Sequence, residues 1–293
     1  MYRFFNRHKL FLTDVGLIYA AAIWGATFYI VKDSLRFINP LAQLGYRFLF
    51  ASLVLGIFLK IKHKKLISNF KEGFILGVLV WILFVPQTIG LKYTTASNSG
   101  FITGLFVVFV PIFSLLLFKA IPSFQKITAI LLATSGLYFL TGGLKELNIG
   151  DVITLIAAMA YALHILVSGV FMKRKIDPYV NTFQQFFTMG ALSLSTGLLF
   201  GQSIFVQSMN SLWIIIFLAL FPSLSGFVIQ MVALQYTAPV KVAIIFTLEP
   251  VFAAIFAWTL GGEKFLPINA FGGLLIVFAM IISELPMTKS EKI

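Results

Sequence analysis

From Phe101 to Phe118 the chain carries no charged residue, and stretches of similar length and character recur almost without interruption along its 293 residues. A helix needs about 20 apolar residues to cross a hydrocarbon layer about 30 Å thick, because each residue rises about 1.5 Å. Windows of that length fall at about 13–32, 39–60, 72–91, 95–118, 125–142, 150–172, 180–200, 210–235, 239–260 and 266–285. A membrane-spanning strand would alternate apolar and polar residues, whereas these stretches are apolar on nearly all sides, so the spans are read as helices. With 59% hydrophobic and 11% charged residues and a mean hydropathy of +0.98, the chain has too little polar surface to cover a water-soluble globule. Lipid must solvate much of it, and the partner most strongly implied is the bilayer.

The positions of lysine and arginine orient the spans, because cytoplasmic loops retain them. With the amino terminus inside, sixteen basic residues fall in inner segments: Arg3, Arg7, Lys9, Lys60, Lys62, Lys64, Lys65, Lys71, Lys119, Lys126, Lys173, Arg174, Lys175, Lys241, Lys289 and Lys292. Five fall outside (Lys32, Arg36, Lys92, Lys145 and Lys264), and Arg47 lies within a span. The reading is therefore an all-α, multi-pass protein of the cytoplasmic membrane, with ten transmembrane helices and both termini cytoplasmic. A net charge of +12 would suggest nucleic acid in a soluble protein, but here it is divided among short loops with no continuous aromatic-studded patch, which excludes that partner. The basic start followed by Ala20, Ala21 and Ala22 has the plan of a signal peptide; with no polar domain after it, it reads as an uncleaved first span.

The pattern VxQxxxLxYT occurs twice, at Val85 to Thr94 and at Val228 to Thr237. Other pairs follow in order: Asp14 with Asp151, Trp24 with Tyr161, and Asn39-Pro40 with Asp177-Pro178. A duplicated unit explains the series, with residues 1–143 as one repeat and 144–293 as the other. Five spans per repeat is an odd number, so the second copy enters the membrane with opposite polarity. Inverted repeats packed about an axis in the membrane plane are the natural basis of alternating access.

Two segments also carry a family resemblance. LKYTTASNSGFITGLFVVFVP (Leu91 to Pro111) and LEPVFAAIFAWTLGGE (Leu248 to Glu263) resemble the repeat signatures of the drug/metabolite transporter superfamily, in its ten-helix EamA-type branch. The resemblance covers essentially the whole chain and implies a central cavity lined by helices one, three, four, six, eight and nine, with five and ten peripheral. That branch includes amino-acid and metabolite exporters as well as uptake carriers. The chain departs from the pattern where Gly-Gly-Glu, ending at Glu263, is matched in the first repeat by Phe118-Lys119-Ala120. Glu263 is read as a helix-end residue.

Candidate site residues are the polar and aromatic groups at mid-depth. Glu249 lies on the order of 12 Å from the cytoplasmic end of its span and precedes Pro250, which frees a carbonyl one turn earlier. It could hold an amine or a proton, or serve as a structural carboxylate. His164, on the order of 13 Å deep, could relay protons or simply tie two helices together. Trp24 and Tyr161 at mid-depth, with Trp81 and Asn98 on the third and fourth helices that the resemblance implies line the cavity, complete the proposed substrate-binding set, and Gln87 and Gln230 are placed either as gates near opposite mouths of one pathway or as interhelical hydrogen-bonding groups. Arg47 is read as structural, and Asp14 and Asp151 as acids that open helices. No cysteine is present, the histidines (His8, His63 and His164) lack metal-ligand spacing, and no GxxxxGK[ST] loop occurs, so no metal, cofactor or ATP drive is expected. The expected function is secondary transport of a small polar metabolite, an amino acid or related compound, with export favoured and no enzyme activity. A non-transporting scaffold and a membrane-embedded enzyme are the alternatives. The oligomeric state stays open, a homodimer included.

Overall fold

The computed structural model describes residues 2–119, 123–140, 148–174, 176–206, 208–236, 242 and 245–284. All regular structure among them is helical: α1 Tyr2–Ser34, α2 Pro40–Ile61, α3 Phe70–Gly90, α4 Ala96–Gly104, α5 Phe106–Phe118, α6 Phe124–Leu140, α7 Ile149–Lys173, α8 Pro178–Leu199 and α9 Met209–Leu218. A π-helical segment, Ala219–Ser225, joins α9 directly to α10, Gly226–Tyr236, and the series ends with α11, Leu248–Thr259, and α12, Pro267–Glu284. Met1, Ala120, Lys145, Lys175, Thr237, Lys241, Lys289 and Lys292 lie outside the described residues, as do the side chains of Arg3, Arg7, Lys9 and Lys126.

Six helical segments are long and apolar enough to cross a membrane: Leu12–Ser34, Pro40–Ile61, Phe70–Gly90, Ala96–Leu117, Ile149–Lys173 and Met209–Tyr236. Three shorter apolar helices are Ile127–Leu140, Leu248–Thr259 and Pro267–Ile282. Helices suit lipid because each satisfies its own backbone hydrogen bonds. Large apolar side chains such as Leu116, Leu131 and Phe278 are exposed on the outside of the bundle, where acyl chains would cover them. The protein is thus a multi-pass membrane protein. α8 is long but less apolar, since Asn181, Thr182, Gln184, Gln185 and Thr188 are buried on its inner side. Gln184 there donates to the carbonyls of Leu66 and Ser68 in the loop before α3.

Packing pairs elements from the two ends of the sequence. α6 packs on α12, α2 on α8, and α4 on α11, while α1 contacts α10 and α11 much as α7 contacts α3 and the α4–α5 pair. The Asn39-Pro40 and Asp177-Pro178 pairs occupy matching places. Asn39 and Asp177 are the N-caps of α2 and α8, accepting from Leu41 N and from Tyr179 N and Val180 N, and each proline takes the first helical position, where no amide is needed.

Several expectations change. The span expected at 95–118 is broken at Leu105 into α4 and α5, the one at 210–235 contains the π segment, and within the one at 239–260 the helix restarts at Leu248 after a turn at Thr247. At the 143-residue offset of the doubled motif, the turn at Thr247 falls one residue before the counterpart of Leu105. Asp14 does not open a helix, because α1 already runs from Tyr2. Asp151 does: it forms a reciprocal capping box with Asn148 at the start of α7. Tyr93 and Thr94 lie in the turn between α3 and α4, and Thr94 donates a hydrogen bond to Asp151, joining that turn to α7.

Candidate functional site

The two helix breaks and the π segment surround one small central cavity. Its lining comes from α1 (Trp24, Thr27, Phe28), α2 (Arg47), α3 (Leu83, Phe84, Gln87), α4 (Thr103), α7 (Tyr161), α10 (Phe227) and α11 (Glu249). Residues from both halves of the chain therefore face one space. The cavity volume is about 30 Å³, and since one water needs about 10–15 Å³, this conformation holds a few waters at most.

Side chains of the cavity are fixed by the unusual backbone around it. A π segment lengthens one turn and leaves carbonyls out of the regular ladder, which is one reason such segments recur at functional sites. Here the Pro222 carbonyl accepts from Trp24 Nε1 at 2.7 Å, and Ser223 Oγ accepts from Arg47 Nε at 2.7 Å. Tyr19 and Ser225 share a third hydrogen bond at 3.0 Å, so α1 and α2 are both fastened to the same turn. Gly226 follows, and a side chain on it would collide with the Trp24 ring. Trp24 then packs against Phe246 and Phe227, with ring centroids 4.9 and 5.5 Å away. Tyr161 packs on Phe106, with ring centroids 4.4 Å apart.

Two ionisable side chains sit in this otherwise aromatic space. Arg47 is 2% exposed and lies over the Phe48 and Phe84 rings, 5.1 and 5.3 Å from their centroids. Glu249, 6% exposed, occupies the first turn of α11, and its Oε2 has no hydrogen-bond partner. Among the described residues the ion pairs within 4.0 Å are Arg36 with Asp33 and Lys64 with Asp177, so Arg47 and Glu249 face one cavity without pairing.

Of the residues singled out in the sequence, Trp24, Tyr161, Glu249 and Gln87 meet at the cavity; Trp81, Asn98, His164 and Gln230 do not line it. His164 is buried between α7 and α8, where Nε2 shares a hydrogen bond with Gln185 Oε1 at 2.9 Å. Trp81 lines a separate lateral pocket of about 480 Å³ with Val85, Ile89 and Thr196. Asn98 stands in the first turn of α4, its backbone N–H donating to the Thr95 hydroxyl. Gln230 is buried on α10 with Oε1 unpartnered. Gln87 donates to Thr103 at 3.1 Å, an interhelical bond that links α3 to α4 in the cavity wall. For Arg47 the sequence offers a structural pairing, favoured because the resemblance keeps the second helix off the cavity centre, or anion binding. Arg47 lines the cavity, and its presence within a span with no acid nearby in sequence was the available signal.

A wider vestibule of about 450 Å³ opens one turn beyond the cavity along α1 and α3, lined by Tyr29, Lys32, Leu91, Ala96 and Glu263 among others. Lys32 Nζ donates to the carbonyls of Leu91 and Thr94 at the end of α3. Glu263, after the left-handed Gly262, accepts from Ala96 N and from Ser97 N and Oγ, capping α4. Its helix-end role is thus toward another helix than its own.

Comparison with known proteins agrees with this architecture. The EamA-like transporter family matches residues 11–142 and again 148–284. An uncharacterized transporter of Archaeoglobus fulgidus is 34% identical over 277 residues, covering 94% of this chain and 87% of the relative. The uncharacterized transporter YyaM of Bacillus subtilis is 26% identical over 278 residues, 89% of each chain. A solved crystal structure, 14% identical, shares the fold with a TM-score of 0.67 over 91% of this chain and 94% of that one. The chain belongs to the EamA-like transporter family, and is a transporter rather than an enzyme.

Proposed function

We propose that this protein is a secondary carrier that moves a small polar metabolite, an amino acid or related compound, across the cytoplasmic membrane by alternating access, with export the favoured direction. The observation that carries the reading is a small cavity lined from both halves of the chain, with Thr103 and Glu249 in its wall beside the helix breaks at Leu105 and Thr247. Discontinuous helices at a repeat interface are where transporters of this kind bind their cargo. In this reading ten helical segments cross the bilayer with both termini cytoplasmic, and residues 1–143 and 144–293 are inverted repeats. The reciprocal packing of α2 with α8 and of α6 with α12 supports it, since exchanging the halves returns each pair to itself.

A cavity of about 30 Å³ cannot hold a metabolite, so loading requires the walls to part. Gln87 and Thr103 line the cavity while Lys32 and Leu91, about one turn further along α1 and α3, line the vestibule, so the Gln87–Thr103 bond and the Lys32 contacts are the groups to break on that side. Trp24, Tyr161 and Glu249 remain the substrate-binding set, joined by Arg47; Gln230 is the gate residue of the other half. Purified protein in proteoliposomes, loaded with a broad metabolite panel, should accelerate exchange of at least one amino acid or relative over protein-free vesicles. Failure with the whole panel would overturn the carrier reading for this class of cargo.

A further inference from the structure

Arg47 and Glu249 are both buried in this bundle, where a charge is costly to place. A charged group at the centre of a spanning helix costs about 2.5–3.5 kcal/mol on insertion scales, and such residues usually pair within the protein or serve a ligand. These two do not pair with each other, although they face one cavity. Arg47 donates Nε to Ser223 Oγ, a neutral acceptor, which leaves the outer edge of the guanidinium fork, with its four remaining N–H groups, without a carboxylate. Glu249 Oε2 is buried and unpartnered. The remaining walls, Trp24, Phe28, Leu83, Phe84, Tyr161 and Phe227, offer aromatic and aliphatic surface.

We propose that Arg47 and Glu249 form a two-point clamp that selects a zwitterion, Arg47 binding its carboxylate and Glu249 its ammonium; this rests on the carrier reading and specifies the charge pattern of the cargo. A guanidinium fork matches a carboxylate in a bidentate, charge-assisted pair, and a carboxylate does the same for an ammonium as a point contact. Bringing a net-neutral zwitterion between the two satisfies both at once. A ligand carrying only one of the two charges leaves the other protein group buried and unsatisfied, which is the strongest form of discrimination a binding site has. Arg47 stands on α2 and Glu249 on α11, so a bound zwitterion bridges elements from the two halves. The apolar walls accept its side chain.

The test is a set of matched probes on the full-length protein in proteoliposomes. The twenty standard L-amino acids are screened by counterflow. Each one that moves is compared with the amine lacking its carboxylate and the acid lacking its amino group. The expected result is that the parent moves and both truncated probes move at least tenfold more slowly. Equal movement of either truncated probe overturns the clamp. So does movement of sugars, simple amines or simple acids when no amino acid moves, and that outcome leaves the carrier reading standing. Glu249→Gln keeps the side chain's size and is expected to lose the preference for the parent over its deaminated acid; an unchanged preference in monodisperse variant protein also overturns the clamp. Arg47→Lys, which keeps the charge but loses the fork, is expected to weaken the parent and the deaminated acid together while sparing the amine, and equal rates to wild type for all three would count against it.

Discussion

Replacing Gly25 with alanine is expected to force apart the two helices that carry Trp24 and Glu249. A Cβ added at Gly25 would stand 2.6 Å from Phe252 Cβ and 2.8 Å from both Ala253 N and Glu249 O. Two of these three atoms are backbone, so no rotamer change relieves the clash. Ordinary contact begins near 3.4 Å, so α1 and α11 must separate locally by roughly 0.8 Å. Overpacking of this kind costs about 1–3 kcal/mol, against which alanine regains about 0.5–1 kcal/mol of helix propensity. Gly169, on α7, is the matched control, because nothing lies within 4 Å of its added Cβ, and Gly169→Ala should show only the gain. The two variants should therefore differ by about 1–3 kcal/mol in opposite directions from wild type. Thermal unfolding in a single detergent, followed by tryptophan fluorescence and size-exclusion profile, measures the order. If Gly25→Ala melts at or above Gly169→Ala, the close approach of α1 to α11 is refuted, and with it the geometry that sets Glu249 at the cavity.

Asp177→Ala should destabilise by about 0.5–2 kcal/mol through loss of the α8 N-cap, with Asp177→Asn nearer wild type. Partial burial pushes the Asp177 carboxyl upward, but its bonds with Lys64 and with the Val180 and Tyr179 amides outweigh this and hold it below the usual carboxylate range. Its folded value is thus the lower one, so its contribution is present above the ordinary carboxylate range and is lost as pH falls through the depressed value. Melting curves of wild type should show that acid-side decline, and those of Asp177→Asn should lack it. Glu263→Ala leaves Ala96 N and Ser97 N without their acceptor and is expected to cost about 1–3 kcal/mol, read as a lower melting temperature, with Glu263→Gln milder. Thr94→Val removes the hydrogen bond to Asp151 and should cost about 1 kcal/mol by the same measurement.

The helices were legible because crossing a membrane is a matter of length and apolarity, both of which can be counted along a chain. The caps at Asn39 and Asp177 and the turn at Tyr93-Thr94 were visible as repeated pairs. Distance along each apolar stretch could be counted too, and it singled out Trp24, Tyr161 and Glu249, which line one cavity. What counting does not give is the direction a residue faces around its helix, and in a bundle apolar on all sides the periodicity that would supply it is weak. His164 and Arg47 show the consequence: one turned out to face α8, the other the cavity. The π segment was equally hidden, for Leu-Phe-Pro-Ser reads as an ordinary proline kink until the carbonyl of Pro222 is seen to hold Trp24.

The chemistry of the cavity comes from where the two halves have diverged. Trp24 and Tyr161 correspond, and both are aromatic and line the space. Arg47 corresponds to Gln185, whose amide is satisfied locally by His164 and Asn181. Glu249 corresponds to Phe106, which is spent on packing against Tyr161. Each half thus contributes one charged group at a position where its counterpart is neutral, and the two charges are of opposite sign. A symmetric ancestor with like residues at both places would have presented two arginines or two glutamates, and either pair would repel in a space of low dielectric. In the carrier reading, movement of one half against the other changes the separation of Arg47 and Glu249. A ligand carrying both charges gives each of them a partner at a separation wide enough to hold cargo, whereas in an empty site the two can satisfy each other only by coming into direct contact.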